Sequence, residues 1–300
     1  MPIMTKIVGT PFHQYTTEVT WRQTTNYAAA IDDDNPYYID DERPDGLVAH
    51  PMFATVATWP IARNWTAYIT GDVDFQHEEV AGKGVHYSEI CEIHRLVRPG
   101  DTLTITGEIA AVLSHKAGTH LINAYRAMDQ DGKPVFTEYI GGILRGVECI
   151  GEDRGKENIP VIPINEETGN PVWEKTIAIE RLRPFIYDGC TNIVAIIHTS
   201  REFAHSVSLP DIILQGSAII AYAVKEIVNA EAGGNPHRVK TISCRFSGMV
   251  IPGSDITLQM HKRVAKETGT DIFFEVLNSE NKKAIRHGYI RLCNGGYKET

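Results

Sequence analysis

Stretches rich in Ile, Val, Thr and Phe recur along both halves of the chain, and turn residues separate them. The first half holds residues 89–96, 102–111, 120–128 and 135–145, and the second half holds residues 239–246, 256–264, 271–277 and 283–292. Stretches of β-branched and aromatic residues predict β-strands. The turns at residues 99–101 and 252–255 contain Pro and Gly and suit hairpin corners, so we expect antiparallel strands.

Helical stretches precede the strands in each half. The first half offers residues 24–31 and 53–65, and the second half offers residues 185–190 and 217–229. Residues 217–229 are rich in Ala, Ile and Val and contain few polar side chains. A surface helix needs a polar face, so this helix is predicted to be buried.

The same order of elements therefore occurs twice, and segment 151–171 separates the copies. This segment is charged, rich in Pro and Gly, and lacks any helical or strand periodicity, which is typical of a linker. We predict one domain at residues 1–150 and a second at residues 172–300. Each would be an antiparallel sheet wrapped around its own helix, in the α+β class, and the two would pair as a pseudo-dimer.

Composition and charge exclude several classes of function. With 42% hydrophobic and 22% charged residues, the composition is that of an ordinary globular protein, and the net charge of −9 argues against a nucleic-acid partner. No apolar run reaches the roughly 18 residues that cross a membrane, and no apolar signal-peptide core is seen. The five cysteines form no CxxC pair. We therefore expect no metal site, no disulfide framework and a reducing, cytoplasmic compartment.

Two segments of the second half carry a distinctive pattern. Residues 187–204 read Tyr-Asp-Gly-Cys-Thr-Asn-Ile-Val-Ala-Ile-Ile-His-Thr-Ser-Arg-Glu-Phe-Ala, and residues 209–218 read Leu-Pro-Asp-Ile-Ile-Leu-Gln-Gly-Ser-Ala. They resemble two segments of the MaoC-like dehydratase and (R)-specific enoyl-CoA hydratase family. There, a loop reads Asp-x-Asn-Pro-x-His and the buried helix opens at a His-Gly pair. The resemblance covers nearly the whole chain and implies a double hotdog fold.

The resemblance also implies a reaction. In this family, water adds reversibly to a trans-2-enoyl thioester, carried by coenzyme A or a carrier protein, with no further cofactor. An Asp and a His activate the water and deliver a proton, while a backbone N–H at the start of the buried helix holds the thioester oxygen. The last role has a physical basis, because a helix N-terminus offers free N–H groups. Exposed sheet edges make a homodimer the expected assembly.

The second half departs from the family's pattern at three positions. His198 matches the histidine of the loop, and Gly216 matches the glycine of the His-Gly pair. Ile193 stands at the position of the Asp, Ala195 at that of the Asn, and Gln215 at that of the second His. The loop thus keeps one proton-transfer group and loses its usual partner.

The first half departs in a complementary way. Asp33, Asn35 and Pro36 keep the motif's spacing, while Tyr38 stands in place of the histidine and His50 lies at the place of the His-Gly pair. In the family this half contributes space for the acyl chain. Asp33, Asn35 and His50 are therefore predicted to line the pocket. For Asp33, a catalytic role and the capping of a helix terminus are the two further alternatives.

His198 is the predicted catalytic acid or base, and the alternative is a structural histidine that ties the loop to a carbonyl. Asp188 is the nearest acid in sequence and a candidate replacement partner, although a solvated loop carboxylate is the competing interpretation. Gly216 is the predicted oxyanion donor. Gln215 can orient a substrate but cannot transfer protons.

Ser217 and Tyr187 complete the predicted substrate-binding set, and Tyr187 is either a phenolic donor in the pocket or a core tyrosine. Ile193 and Ala195, together with Ile196, would enlarge and dry the pocket. The remaining histidines, His77 among them, show no metal-ligand spacing, and His86 and His94 are interpreted as surface or hairpin residues.

Three functions fit this pattern. The first is a hydro-lyase acting on an acyl thioester or a related carbonyl compound. The second is a single-proton reaction, such as an isomerisation, an elimination or a cyclisation, on a bulky apolar metabolite. The third is a catalytically silent protein that binds a ligand in the same pocket.

Overall fold

The computed structural model describes residues 2–71, 73, 75, 80, 82–166 and 169–295. His77 therefore lies outside the described residues. The elements of the first half, in chain order, are β1 (Ile3–Met4), β2 (Tyr15–Glu18), α1 (Trp21–Ala30), α2 (Pro36–Ile39), α3 (Ala54–Arg63), α4 (Trp65–Tyr68), β3 (Gly84–Ile93), β4 (Thr102–His115), β5 (Gly118–Met128), β6 (Pro134–Arg145) and β7 (Cys149–Ile150). Those of the second half are β8 (Trp173–Ile179), α5 (Arg183–Thr191), α6 (Arg201–Ser206), α7 (Gly216–Glu231), β9 (Val239–Phe246), β10 (Ser254–Lys266), β11 (Gly269–Leu277) and β12 (Lys283–Cys293).

The prediction of an α+β chain with a repeated order of elements is confirmed. The eight predicted strands and the predicted helices occur in the expected order, with ends that differ by a few residues. Three differences matter: β3 begins at Gly84 rather than at residue 89, and the short outer strands β2 and β8 were not predicted. Segment 151–171 contains the 3-10 helix Lys156–Asn158, and its first part hydrogen-bonds to β4.

The two half-sheets form one sheet rather than two. Its strand order is β2-β4-β5-β6-β3-β9-β12-β11-β10-β8, so five strands come from each half. The halves join where β3 pairs antiparallel with β9, from Ser88 opposite Arg245 to Glu92 opposite Thr241. The short pair β1–β7 forms a separate two-stranded sheet.

Two tyrosines mark the point where the halves meet on the helical side. Tyr27 on α1 and Tyr187 on α5 are 160 residues apart, which is also the separation between the loop positions Tyr38 and His198. Both rings are fully buried, their centroids lie 6.1 Å apart, and their hydroxyl oxygens are 3.5 Å apart. The two residues therefore occupy equivalent positions in the two halves and contact each other.

The buried helix predicted near residues 217–229 is α7. Its apolar side chains pack against β9 and β12, and Ile220, Val224 and Ile227 are fully buried. Each such side chain contributes roughly 1.5–3 kcal/mol relative to an exposed position, so the helix is held mainly by its packing. In the part of the chain that is described, no helix is long and apolar enough to cross a membrane.

Candidate active site

The loop that carries His198 begins where α5 ends. Asn192 takes a left-handed conformation (φ 61°) that terminates the helix, and its N–H donates to Asp188 O. A 3-10 turn, Ile196–His198, follows, and Ser200 then caps α6 by accepting a hydrogen bond from Phe203 N. Local backbone geometry therefore holds His198 between two helices.

The ring of His198 has a defined partner. Its Nδ1 lies 2.8 Å from the carbonyl oxygen of Ile213, which can only accept, so Nδ1 carries the proton and Nε2 carries the lone pair. Burial lowers the pKa of His198, since the interior disfavours the imidazolium. The histidine thus ties the loop to a carbonyl, as the structural alternative predicted, and its Nε2 keeps a lone pair that can accept a proton.

The oxyanion donor predicted at Gly216 lies at the first position of α7. Gln215 precedes the helix in an extended conformation and does not cap it. Within the described residues, the N–H groups of Gly216 and Ser217 have no hydrogen-bond acceptor. Free N–H groups at the start of a 16-residue helix attract and stabilise a partial negative charge within hydrogen-bond reach of them.

His198 and Gly216 open into the same cavity, of about 430 Å³, between the two halves. Gln215 and Ser217 add polar groups, and the apolar walls include Ile193, Ala195, Ile197, Leu209, Ile213, Leu214, Ile219, Trp59, Val85, Phe246 and Met249. The Gln215 amide donates from Nε2 to Pro184 O (3.0 Å), which leaves its buried Oε1 without a partner in the described structure. Oε1 therefore has unused capacity to accept a hydrogen bond. Ile196, by contrast, is 55% exposed and does not line the cavity.

Asp188 and Tyr187 are not part of the cavity lining. Asp188 lies half-buried on α5 and makes no hydrogen bond to His198, whose Nδ1 is already occupied by Ile213 O. Burial raises the pKa of Asp188, and the nearby Arg63 opposes that change. Tyr187 is fully buried behind the cavity wall, which raises the pKa of its phenol to about 12. It is a core tyrosine.

Asp33, Asn35 and His50 form a separate buried cluster and do not line the cavity. Asn35 caps α2 by accepting from Tyr37 N, and its Nδ2 donates to Gly234 O. The His50 Nδ1 accepts from Met52 N, and its Nε2 is 3.9 Å from the Asp33 carboxylate. The first-half motif thus serves mainly to cap helices, which corrects the prediction that these three residues line the pocket.

The chemistry of the first-half cluster also differs from that of His198 and Gly216. Pro51 stands at the helix start where the second half has Gly216, and proline has no N–H to donate. Burial lowers the pKa of His50 to about 3 and raises the pKa of Asp33 to about 6. The helix start with free N–H groups therefore lies in the second half, at Gly216.

Two functional candidates, His86 and Glu89, were not predicted from the sequence. His86, interpreted as a surface or hairpin residue, lines the cavity from β3, and its Nε2 is 3.0 Å from Glu89 Oε2. Glu89 and Glu138 are buried behind it. His94, by contrast, lies exposed beyond the end of β3. A histidine and an acid three residues apart would point to opposite faces of a regular strand, so the spacing alone gave no signal.

Comparisons with known proteins find similarity in both halves of the chain. Residues 170–284 match the family model described as MaoC like domain, and residues 6–138 match the one described as FAS1-like, dehydratase domain region. Over 94 residues the chain is 31% identical to a protein of Arabidopsis thaliana named "Enoyl-CoA hydratase 2, peroxisomal". That match covers 31% of this chain and 29% of the relative.

Solved structures extend the similarity in fold over nearly the whole chain. A MaoC-like dehydratase from Phytophthora capsici superposes with a TM-score of 0.80 at 20% identity, covering 97% of this chain and 99% of that one. A Mycobacterium tuberculosis protein described as having a double hotdog fold superposes with a TM-score of 0.58 at 12% identity, covering 94% and 95%. The predicted double hotdog fold is confirmed.

We predict that His198 is neutral at pH 7, with its proton on Nδ1. Its protonation midpoint should lie below 6.5, because burial disfavours the charged ring. The ¹⁵N chemical shifts of the two ring nitrogens, recorded as a function of pH, measure both properties. A His198→Gln variant assigns the signals by their loss. A proton on Nε2, or a midpoint above 6.5, would contradict the prediction.

Proposed function

We propose that the chain is a member of the MaoC-like dehydratase family and a hydro-lyase that adds water reversibly to a 2-enoyl thioester. One observation carries this proposal: a neutral histidine nitrogen, on His198, and free N–H groups at the start of α7 open into one cavity. A base next to an oxyanion site is the combination that water addition to an α,β-unsaturated thioester requires.

The roles follow from the chemistry of each group. Nε2 of His198 takes a proton from water as the water oxygen bonds to C3 of the substrate. Electrons of the C2–C3 double bond move toward the thioester oxygen, and the N–H of Gly216 stabilises the negative charge that develops there. When the thioester carbonyl re-forms, C2 takes one proton from the acid–base groups of the cavity, which completes the addition of water. Gln215 Oε1 accepts a hydrogen bond from the water or from the 3-hydroxyl of the product. Ser217 lies beside it at the helix start.

The walls of the cavity support an apolar acyl substrate. Ile193 and Ala195 stand where the family's loop has polar residues, and both line the cavity. The addition of water leaves the oxidation level of the acyl chain unchanged, so the reaction requires no redox cofactor. The thioester carrier is coenzyme A or a carrier protein. The name of the Arabidopsis relative favours coenzyme A.

A second candidate function rests on those same two residues. Because Ile193 and Ala195 remove the loop's carboxylate and amide, His198 is the loop's remaining proton-transfer group. A lone base beside an oxyanion site suffices for an isomerisation or an elimination at an already acidic carbon. A bulky apolar carbonyl compound would then replace the linear enoyl thioester.

The first test is hydration of crotonyl-CoA and of longer 2-enoyl-CoA and carrier-bound substrates, followed by loss of absorbance of the enoyl thioester. We expect turnover by the wild type and a decrease in kcat of roughly 10²–10⁴-fold in His198→Ala, because the general base is removed. His205→Ala is the matched control, since His205 is exposed on α6 and its ring hydrogen-bonds to Pro210 O. A wild type that converts no thioester would rule out this function and favour the second candidate.

The second test isolates the N–H of Gly216. Gly216→Pro removes that N–H, and proline is well tolerated at the first position of a helix. Gln215 already has the extended conformation (φ −58°, ψ 135°) that a following proline requires. We expect kcat to fall roughly 10²–10³-fold relative to Gly216→Ala. The alanine variant brings the same Cβ, 3.2 Å from the Phe246 ring, but keeps the N–H. Equal kcat values in the two variants would exclude an oxyanion role.

Assembly and location complete the proposal. Strands β2 and β8 form the two ends of the ten-stranded sheet, and pairing at such an edge supports a homodimer. Light scattering on the purified protein tests it, and a monomer mass at micromolar concentration would exclude it.

An intracellular location follows from the proposed thioester substrates, with the peroxisome included because of the relative's name. Imaging a tagged chain beside a peroxisomal marker decides between the compartments.

A further inference from the structure

His86 faces the cavity from the opposite half to His198. Its side chain is 23% exposed, and it lines the cavity that also contains Gly216. The His86 ring lies against the Phe246 ring, with centroids 4.5 Å apart. Atoms of that Phe246 ring would be 3.2 Å from a Cβ at Gly216. One aromatic ring therefore separates His86 from the start of α7.

A β-bulge places His86 and Glu89 on the same face of β3. The pairing of β3 with β6 shifts between His86, opposite Gly142, and Ser88, opposite Gly141. The extra residue reverses the normal alternation, so that side chains three positions apart both point inward. The His86 Nε2 is therefore 3.0 Å from Glu89 Oε2.

Glu89 belongs to a buried group of acids and hydroxyls. Its side chain is 1% exposed, and Glu138 on the neighbouring strand β6 is fully buried. Thr55 and Thr58 donate hydrogen bonds to the two oxygens of Glu138, at 2.8 and 2.5 Å. Among the described residues, neither carboxyl group pairs with a lysine or an arginine. The side chains of Glu89 and Glu138 also share a hydrogen bond. Two carboxyl groups buried together without a cation favour the protonated form.

The charge state of the group follows from its burial. Burial raises the pKa of Glu89 to about 8, and burial together with the Glu89 charge raises the pKa of Glu138 well above its ordinary value. Burial lowers the pKa of His86 to about 4, so its ring is neutral at pH 7. A protonated Glu89 then donates to Nε2 of a neutral His86.

We propose that His86 is a second catalytic residue of the cavity, which exchanges a proton with the substrate, and that Glu89 positions its ring and exchanges a proton with Nε2. This rests on the proposed hydration function and supplies the partner that the loop of His198 lacks. Both groups come from the first half, so the active site would need both hotdog units.

The proton transfers balance as follows in the hydration direction. Nε2 of His198 takes one proton from water while the water oxygen bonds to C3. As the thioester carbonyl re-forms, C2 takes the proton from the ring nitrogen of His86 that Glu89 does not contact. Glu89 gives its proton to Nε2 of His86 in the same step. One proton then returns from His198 through water to the ring nitrogen of His86 that protonated C2. Nε2 of His86 gives its proton back to Glu89, which restores both sides.

The test compares His86→Ala with the wild type in the enoyl-CoA hydration assay, with and without added imidazole. We expect kcat to fall roughly 100-fold or more, as for loss of a general acid or base, with KM little changed. Added imidazole should restore part of kcat, because a small base can enter the vacated space. A residue that only supports the fold would not respond to imidazole. His94→Ala, just beyond the end of the same strand, is the matched control and should behave like the wild type.

Glu89→Gln keeps the size of the side chain and a hydrogen bond to His86 but cannot exchange a proton. It provides the test if His86→Ala does not fold. We expect a lower kcat with unchanged thermal unfolding, since Glu89 is uncharged at neutral pH in either case. If His198→Ala is inactive while His86→Ala and Glu89→Gln match the wild type, the inference is overturned and the proposed function stands. A wild type without hydration activity overturns both.

Discussion

The antiparallel pairing of β3 with β9 is the constraint on which the rest of this structure depends. It joins two five-stranded half-sheets and sets the register between residues 88–92 and 241–245. His86 and Glu89 lie on β3, and Phe246, which packs against the start of α7, ends β9. A slip of one residue would turn Glu89 toward the outer face and leave the cavity without its first-half polar wall.

The duplication has given its two copies different tasks. In the second half, a histidine and a helix start with free N–H groups open into a cavity. In the first half, Tyr38 and Pro51 occupy the corresponding places, and neighbouring polar side chains cap helices. The contact of Tyr27 with Tyr187 shows that the two copies still meet as a symmetric pair. Divergence therefore changed the polar residues of each half, while the tyrosine contact between the halves was kept.

The acids behind His86 are costly for the fold. Burying a charged carboxylate without a partner costs several kcal/mol, so Glu89 and Glu138 take up protons instead. Even the neutral acids need hydrogen-bond partners when they are buried. Thr55 and Thr58 donate to Glu138, Glu89 contacts His86, and the two acids share a hydrogen bond. An apolar pair would pack at this position with less cost. The cluster is therefore easier to explain by proton transfer at the cavity than by stability.

The sequence by itself determined the elements and the local part of the site. Strand composition, turn residues and the apolar pattern of α7 are local properties, as is the spacing from His198 to the glycine that opens the helix. The tertiary structure decided which groups the candidate residues contact. The carbonyl of Ile213 holds His198 where Asp188 had been a candidate, and Asp33, Asn35 and His50 are packed away from the cavity.

His86 and Glu89 show most clearly what could not be predicted from the sequence. Whether they share a face depends on one bulge in the pairing of β3 with β6, and whether that face meets Gly216 depends on the pairing of β3 with β9. Both are contacts between strands distant in sequence, so neither leaves a trace in the spacing of residues along the chain. Local chemistry could therefore be read from the sequence, while the opposite wall of the cavity required the folded structure.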